Sequence, residues 1–288
     1  MTRSFWRYGV PSLMILGGLV AAGIGWMLFE RDGLPAEFDV TNTSGTVSGA
    51  EGVTNLDIEM DLGSLKILPA DTFSYTASDV VADNFSVSAE GDTLKLRYQF
   101  NWKATLSLWF TSWDDSASVT LYVPQRVYEN LTLNSGAGSC TVKALQCTKA
   151  NLDLGAGSLT MNDVSVNEEA NFDCGAGKVT ISDCKLNNAE FDMGAGSFTA
   201  NGGALYNLTI DGGAGNLTID GAVVTGKTDV DAGAGRVTIH AVGNPEDYYA
   251  DVDQGAGSVD ENTRGGADAP NKIIVDGGAG SVDISIGS

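Results

Sequence analysis

From Asn130 onward apolar and polar residues alternate, and the alternation restarts every 19–23 residues. At each restart stands Gly-Ala-Gly, beginning at Gly136, Gly155, Gly175, Gly194, Gly213, Gly233, Gly255 and Gly278. Three residues before the first glycine lie Leu133, Leu152, Phe172, Phe191, Ile210, Val230, Val252 and Val275. Four after it lie Cys140, Leu159, Val179, Phe198, Leu217, Val237, Val259 and Val282. Six after it lie Val142, Met161, Ile181, Ala200, Ile219, Ile239, Glu261 and Ile284. Between the last two runs a polar column: Thr141, Thr160, Thr180, Thr199, Thr218, Thr238, Asp260 and Asp283. Period-two alternation rich in β-branched residues predicts strands buried on one face. Nine residues after each first glycine comes a weaker third segment (Leu145, Val164, Cys184, Gly203, Ala222, Val242); eleven after come Cys147, Val166, Leu186, Leu205, Val224 and Asn244.

A twenty-residue unit cannot bury its own apolar face and must stack on copies of itself. Three short faces per unit predict one lap of a parallel β-solenoid, with laps about 4.8 Å apart. Glycines suit the corner because they permit positive φ and close backbone approach. An antiparallel sandwich would also alternate, but nothing in it would keep one tripeptide in register. Ahead of the repeats, Leu56, Ile58, Leu65 and Ile67 flank Gly63-Ser64 like an early lap. Phe85–Ser88 and Asp92–Tyr98 read as a hairpin through Glu90-Gly91, and Val119–Pro124 as another strand. A solenoid exposes an open edge at its first lap, and this region is the expected cap.

Two residues before each tripeptide stand Asn134, Asp153, Asp173, Asp192, Asp211, Asp231, Asp253 and Asp276, and Asp61 takes the same place before Gly63-Ser64. At one lap's separation neighbouring carboxylates repel by roughly 0.9 kcal/mol in water. The expected offset is an Asx-type bond from each carboxylate to the N–H groups of its own corner. The alternative is a line of calcium sites on Asp153, Asp173, Asp192, Asp211 and Asp231. The nonapeptide calcium β-roll is excluded, because the position where it needs an Asp holds Leu217 and Val282.

The chain has 37 acidic and 16 basic residues among 288, a net charge of −21. That balance argues against nucleic acid as a partner. Between Tyr8 and Phe29 no residue is charged. This length matches a membrane span of about 30 Å. Arg3 and Arg7 precede it while Glu30 and Asp32 follow, so the N-terminus is expected in the cytoplasm. The organisation expected is a cytoplasmic tail at 1–8, a transmembrane signal anchor at 9–29, an N-terminal β region and cap at 30–130, and the repeat solenoid at 131–288. The localisation that follows is a single-pass cell-membrane protein with its C-terminal domain outside the cytoplasm. Cys147 and Cys184 share the third face but fall two laps apart, and Cys140 and Cys174 flank the corner on opposite strands, also two laps apart. Their roughly 9.6 Å separations exceed the about 7 Å a disulfide spans, so four buried free thiols are expected.

The aromatic run Tyr98–Trp113 reads as cap core; its exposed alternative is a partner-contact surface through Trp109 and Trp113. His240, the sole histidine, falls at an outward strand end. No Ser-His-Asp set, nucleotide loop or metal cluster is apparent, and repeats this short leave no loops to wall a cleft. The single threonine row is explained by β-propensity without invoking an ice-binding surface. No catalytic residue and no cofactor is expected.

The stretches Leu56–Ile67, Gly91–Leu96, Val119–Pro124 and the repeats from Asn130 resemble a bacterial family of unknown function usually labelled putative adhesin. The resemblance covers roughly residues 50–288. It implies a right-handed, single-stranded parallel β-helix, often exported or membrane-anchored, in some cases tied to envelope-stress response. It brings no catalytic residues. What it implies here is a non-catalytic binding or scaffold protein of the cell envelope, with an unknown envelope protein or glycan as partner. A surface adhesin is the alternative, and a polysaccharide-processing β-helix enzyme the second.

Overall fold

The links between strands dictate the shape. The computed structural model describes residues 40–99 and 117–287. They lie in a unit spanning Val40–Gln99 and Asp115–Ser288. Strand β7 (Val127–Lys143) is followed after two residues by β8 (Gln146–Asn162), yet the two run parallel with Val127 opposite Gln146. Pairing in register across so short a link requires each strand to bend back to its own start. β9 (Ser165–Ser182) and β10 (Lys185–Asn201) repeat this, and β11 (Ala204–Val242) carries two laps without a break. Asp153, Asp173, Asp192 and Asp211 are successive partners across β8–β11. The result is an all-β, solenoid-like long sheet.

Three kinds of corner bend the lap. One is Gly-Ala-Gly. The second is a left-handed residue between laps: Ala144, Asp163 and Asp183 at φ of +50° to +54°, then Gly202 and Gly221 at +65° and +68°. The third uses Asn188, Asn207 and Gly226, with φ of +46°, +51° and +75°. There the Asn207 amide donates to Asn188 Oδ1 (3.0 Å), and Lys227 N–H donates to Asn207 Oδ1 (3.1 Å). Asn and Gly tolerate this conformation better than other residues.

The predicted inward columns are the core. Leu133, Leu152, Phe172, Phe191 and Ile210 are all at most 2% exposed. Phe172 and Phe191 stack at 4.2 Å between centroids, with rings 2° from parallel. Burying each such side chain is worth about 1.5–3 kcal/mol. All four cysteines are buried and free. Among the described residues Thr228 is the one polar side chain buried in the apolar interior; it is fully buried and its Oγ1 has no hydrogen-bond partner.

At the ends, spatial order departs from sequence order. The remaining strands are β1 (Val40–Thr46), β2 (Asn55–Ala70), β3 (Ser74–Val81), β4 (Phe85–Glu90), β5 (Thr93–Tyr98), β6 (Ser118–Pro124), β12 (Tyr248–Glu261) and β13 (Asn271–Gly287). The sheet runs β1-β3-β6-β2-β7-β8-β9-β10-β11-β13-β12, with β5 beside β2 and β4 beside β5. Outside β2, one lap is assembled from two pieces: β5 pairs with its first arm and β6 with its second, both parallel. Antiparallel strands then close the edge. β4 lies on β5 as the expected hairpin, while β3 lies on β6 and β1 on β3.

At the other end the C-terminal strand β13 inserts between β11 and β12. Asp231 therefore neighbours Asp276, and Asp253 lies beyond it. This accounts for Glu261: its strand is the outermost lap, where the core position is exposed. Val242, expected inside, is 40% exposed for a different reason: its lap lacks the left-handed corner residue of the others, so the alternation runs on and turns Ala241 inward instead. One further expectation needs correction. Asp61 does not extend the aspartate column; Glu59 pairs with Asn134, and Gly63 pairs with Gly138, the third glycine of its tripeptide. Counting from Gly63 as a first glycine displaced that lap by two residues.

Candidate functional site

The Gly-Ala-Gly corner separates two outward-facing arms, and its chemistry is steric. At the third glycine of every tripeptide φ lies between +134° and +155°. A Cβ there would sit 1.5–1.9 Å from a glycine carbonyl oxygen of the adjacent lap. A Cβ on the first glycine would lie 2.1–2.7 Å from a backbone oxygen of that lap. The middle residue points away and accepts a methyl group. The tripeptide is thus the minimum that lets laps stack at a sharp corner.

The arm before the corner is acidic. Asp153, Asp173, Asp192, Asp211 and Asp231 are exposed, stacked, and border the corner. An open groove of about 340 Å³ runs over Asn151, Asp153, Asn171, Asp173, Glu190 and Asp192. Burial and the neighbouring Asp211, Asp173 and Glu190 push the Asp192 carboxyl above its ordinary value. The expected capping bonds are not formed: no side-chain hydrogen bond joins Asp153, Asp173, Asp192 or Asp211 to its own corner. Solvent screening of exposed carboxylates replaces them, since water reduces each pair to a cost of about 1 kcal/mol or less. Several cations on this arm are engaged, although Lys272, in register with Lys227, is not. Arg97 bridges Asp57 and Glu59, and Lys149 holds Glu169 at 3.3 Å. Among the described residues no three His, Cys, Asp or Glu side chains are placed to hold a metal ion.

The arm after the corner differs in kind. Its outward columns carry Ser139, Ser158 and Ser197, then the row from Thr141 to Thr238, then Asn162, Ser182 and Asn201. Lys66, Lys143, Lys178 and Arg236 project from it, exposed and without a carboxylate partner. Its one carboxylate before the final laps is Asp220, facing His240 Nδ1 at 3.5 Å, while His240 Nε2 lies 3.6 Å from Asp283.

Residues 53–286 match Toastrack DUF4097. The chain belongs to this family. Three solved structures show similarity to the chain. A putative cell adhesion protein from Clostridium sporogenes shares 11% identity, covering 86% of this chain and all of that one, with a TM-score of 0.32. A putative adhesin from Bacteroides fragilis shares 12% identity over 86% of this chain and 97% of its own, at TM-score 0.37. A putative adhesin from Parabacteroides distasonis shares 11%, over 85% and 98%, at 0.36. No curated protein matches the chain.

In this Toastrack chain the candidate residues separate clearly. The five aspartates form one ladder. Trp109, Trp113 and the 9–29 segment lie outside the described residues; among the described ones no helix is long and apolar enough to cross a membrane. Burial pushes the Cys140, Cys147 and Cys174 thiols up to about 12 and raises Cys184 as well, which disfavours the reactive thiolate. The unpaired lysines of the second arm escaped the sequence reading. Their signal was present in the column three after each first glycine, where Lys178 and Arg236 interrupt serines.

Proposed function

We propose that this Toastrack chain is a non-catalytic binding or scaffold element of the bacterial cell envelope. In this reading residues 9–29 anchor it in the cell membrane and its right-handed β-solenoid stands outside the cytoplasm. The observation that carries the binding role is the lap construction. Two-residue links join β7 to β8, β8 to β9 and β9 to β10, so these laps offer long flat arms and no loops to enclose a substrate. Solenoids of this kind present extended surfaces to macromolecular partners. The membrane anchor is supported by the uncharged run before Glu30 and by the arginines on its N-terminal side. The family resemblance supports a link to envelope stress.

The test is photo-crosslinking of full-length protein in native bacterial membranes. Recovery of one envelope or stress-response protein supports the scaffold. Capture of surface glycan or a neighbouring cell's protein supports adhesion instead, a reading favoured by the hydroxyl-rich arm. Turnover of an acidic polysaccharide by the purified protein would overturn both. Protease accessibility in spheroplasts tests the topology: the solenoid should be reachable from outside.

A further inference from the structure

We propose that the arm following the Gly-Ala-Gly corner binds an extended anionic polysaccharide laid across successive laps. This deepens the binding reading above and rests on it. The argument begins with charge. The molecule carries −21 overall, yet this arm, from β2 through the second lap of β11, holds Lys66, Lys143, Lys178 and Arg236 against the single carboxylate Asp220. On the acidic arm Arg97, Lys149 and Lys227 each engage a carboxylate, Lys272 being the exception; these four cations engage none. An exposed cation left unpaired on an acidic protein is available to an external anion.

Spacing narrows the class. Lys66 and Lys143 stand on adjacent laps, Lys178 two laps further on, and Arg236 three laps beyond that. At about 4.8 Å per lap the strip is about 29 Å long; Lys66 stands in the threonine column, Lys143 two residues to one side and Lys178 and Arg236 two to the other, so successive cations lie about 8–16 Å apart. Single-stranded nucleic acid places a charge every 3.4 Å or so, far denser than this strip. A polymer with a carboxylate on only some of its units fits better. Between the cations lie the threonine row and its flanking Ser and Asn columns, half-exposed to exposed; apart from Ser139, which donates to Ser64 Oγ, and Asn216, which accepts from Arg236 N–H, their hydroxyls and amides have no intramolecular partner. Sugar hydroxyls are the natural complement to such rows, whereas an acidic peptide would leave them unused. The aspartates round the corner bound the strip, and at physiological salt their field is screened beyond about 8 Å.

The test uses full-length protein in detergent with EDTA, so that calcium cannot bridge carboxylates. Calorimetry measures binding of hyaluronate oligosaccharides, dextran oligosaccharides and poly-glutamate of similar length. Hyaluronate is expected to bind best. The double variant Lys143→Gln/Lys178→Gln should weaken it at least about tenfold, while Asp173→Asn/Asp192→Asn should not weaken it; thermal melts verify that both variants fold. A second pair, Thr160→Val/Thr180→Val, should weaken binding several-fold with the charges intact. Equal binding by the lysine variant, or poly-glutamate binding as well as hyaluronate, overturns the proposal. So does absence of hyaluronate binding. If the same protein still captures a protein or neutral glycan in membranes, the binding reading survives without this ligand.

Discussion

The interior laps and the terminal laps are built from the same repeat but held by different rules. From β7 to β11 each lap stacks on its predecessor, and spatial order is sequence order. At the ends it is not: β5 and β6 lie outside β2, and β13 slips inside β12. The interior shows that a corner tripeptide suffices to propagate a solenoid. The ends show that stopping one requires other devices. At the N-terminal end these are antiparallel strands. At the C-terminal end they are polar side chains standing in for a missing lap: Gln254 donates to its corner's Ala256 carbonyl at 3.2 Å, and Asn262 both donates to Ile286 O and accepts from Ile286 N–H. Acidic residues Asp251, Asp253, Asp260 and Glu261 further blunt the β12 edge.

The sharpest way to break the contrast is one methyl group in two places. Gly196→Ala puts a Cβ 1.8 Å from Gly177 O, between laps that cannot separate. It should cost more than about 4 kcal/mol and prevent folding, as read by far-UV circular dichroism. Gly257→Ala meets Gly280 O at 1.5 Å, but on a lap with a neighbour on one side only. There the damage should stay local, with hydrogen exchange accelerating in β12 and the global melt preserved.

Next in size is truncation after Pro270. If β13 were an ordinary last lap, only its own contacts would go. Because β12 pairs with β13 alone, removing β13 should strip β12 of its exchange protection as well, while β7–β10 keep theirs. Thr228→Val removes the orphan hydroxyl and keeps the shape. Relieving a buried unsatisfied group should stabilise by about 1–2 kcal/mol in urea melts.

The smallest effect concerns the acidic arm. Asp192 has a folded pKa above its unfolded one, so the stability it contributes is present at low pH and lost as pH rises through the folded value. Asp192→Asn should therefore stabilise at pH 7, by no more than about 0.5 kcal/mol for so exposed a group, and be neutral near pH 3. Destabilisation at pH 7 would mean the carboxylate has a favourable partner after all.

What the sequence made legible follows from the same contrast. The glycine corner, the inward columns and the stacked aspartates recur in every lap, so one alignment exposes them all. The hairpin Phe85–Tyr98 was readable because its turn and alternation are local. Lap order at the ends was not, since a period states which residues are equivalent and not which laps touch. Glu261 and Asp260 were the clue that β12 is outermost: a lap lacking its apolar residue has nothing to cover. The carboxylate caps were misjudged because composition alone cannot tell a bonded aspartate from a merely hydrated one.

The placement of β13 also has a mechanical meaning. Tension applied to the C-terminal tail does not act on the outermost coil, where bonds could rip one after another like a zip. It acts on a strand gripped along both flanks, so two ladders must yield together before any coil is freed. An end made this way resists being tugged apart, or nibbled from its tail, better than the same coils wound in simple succession.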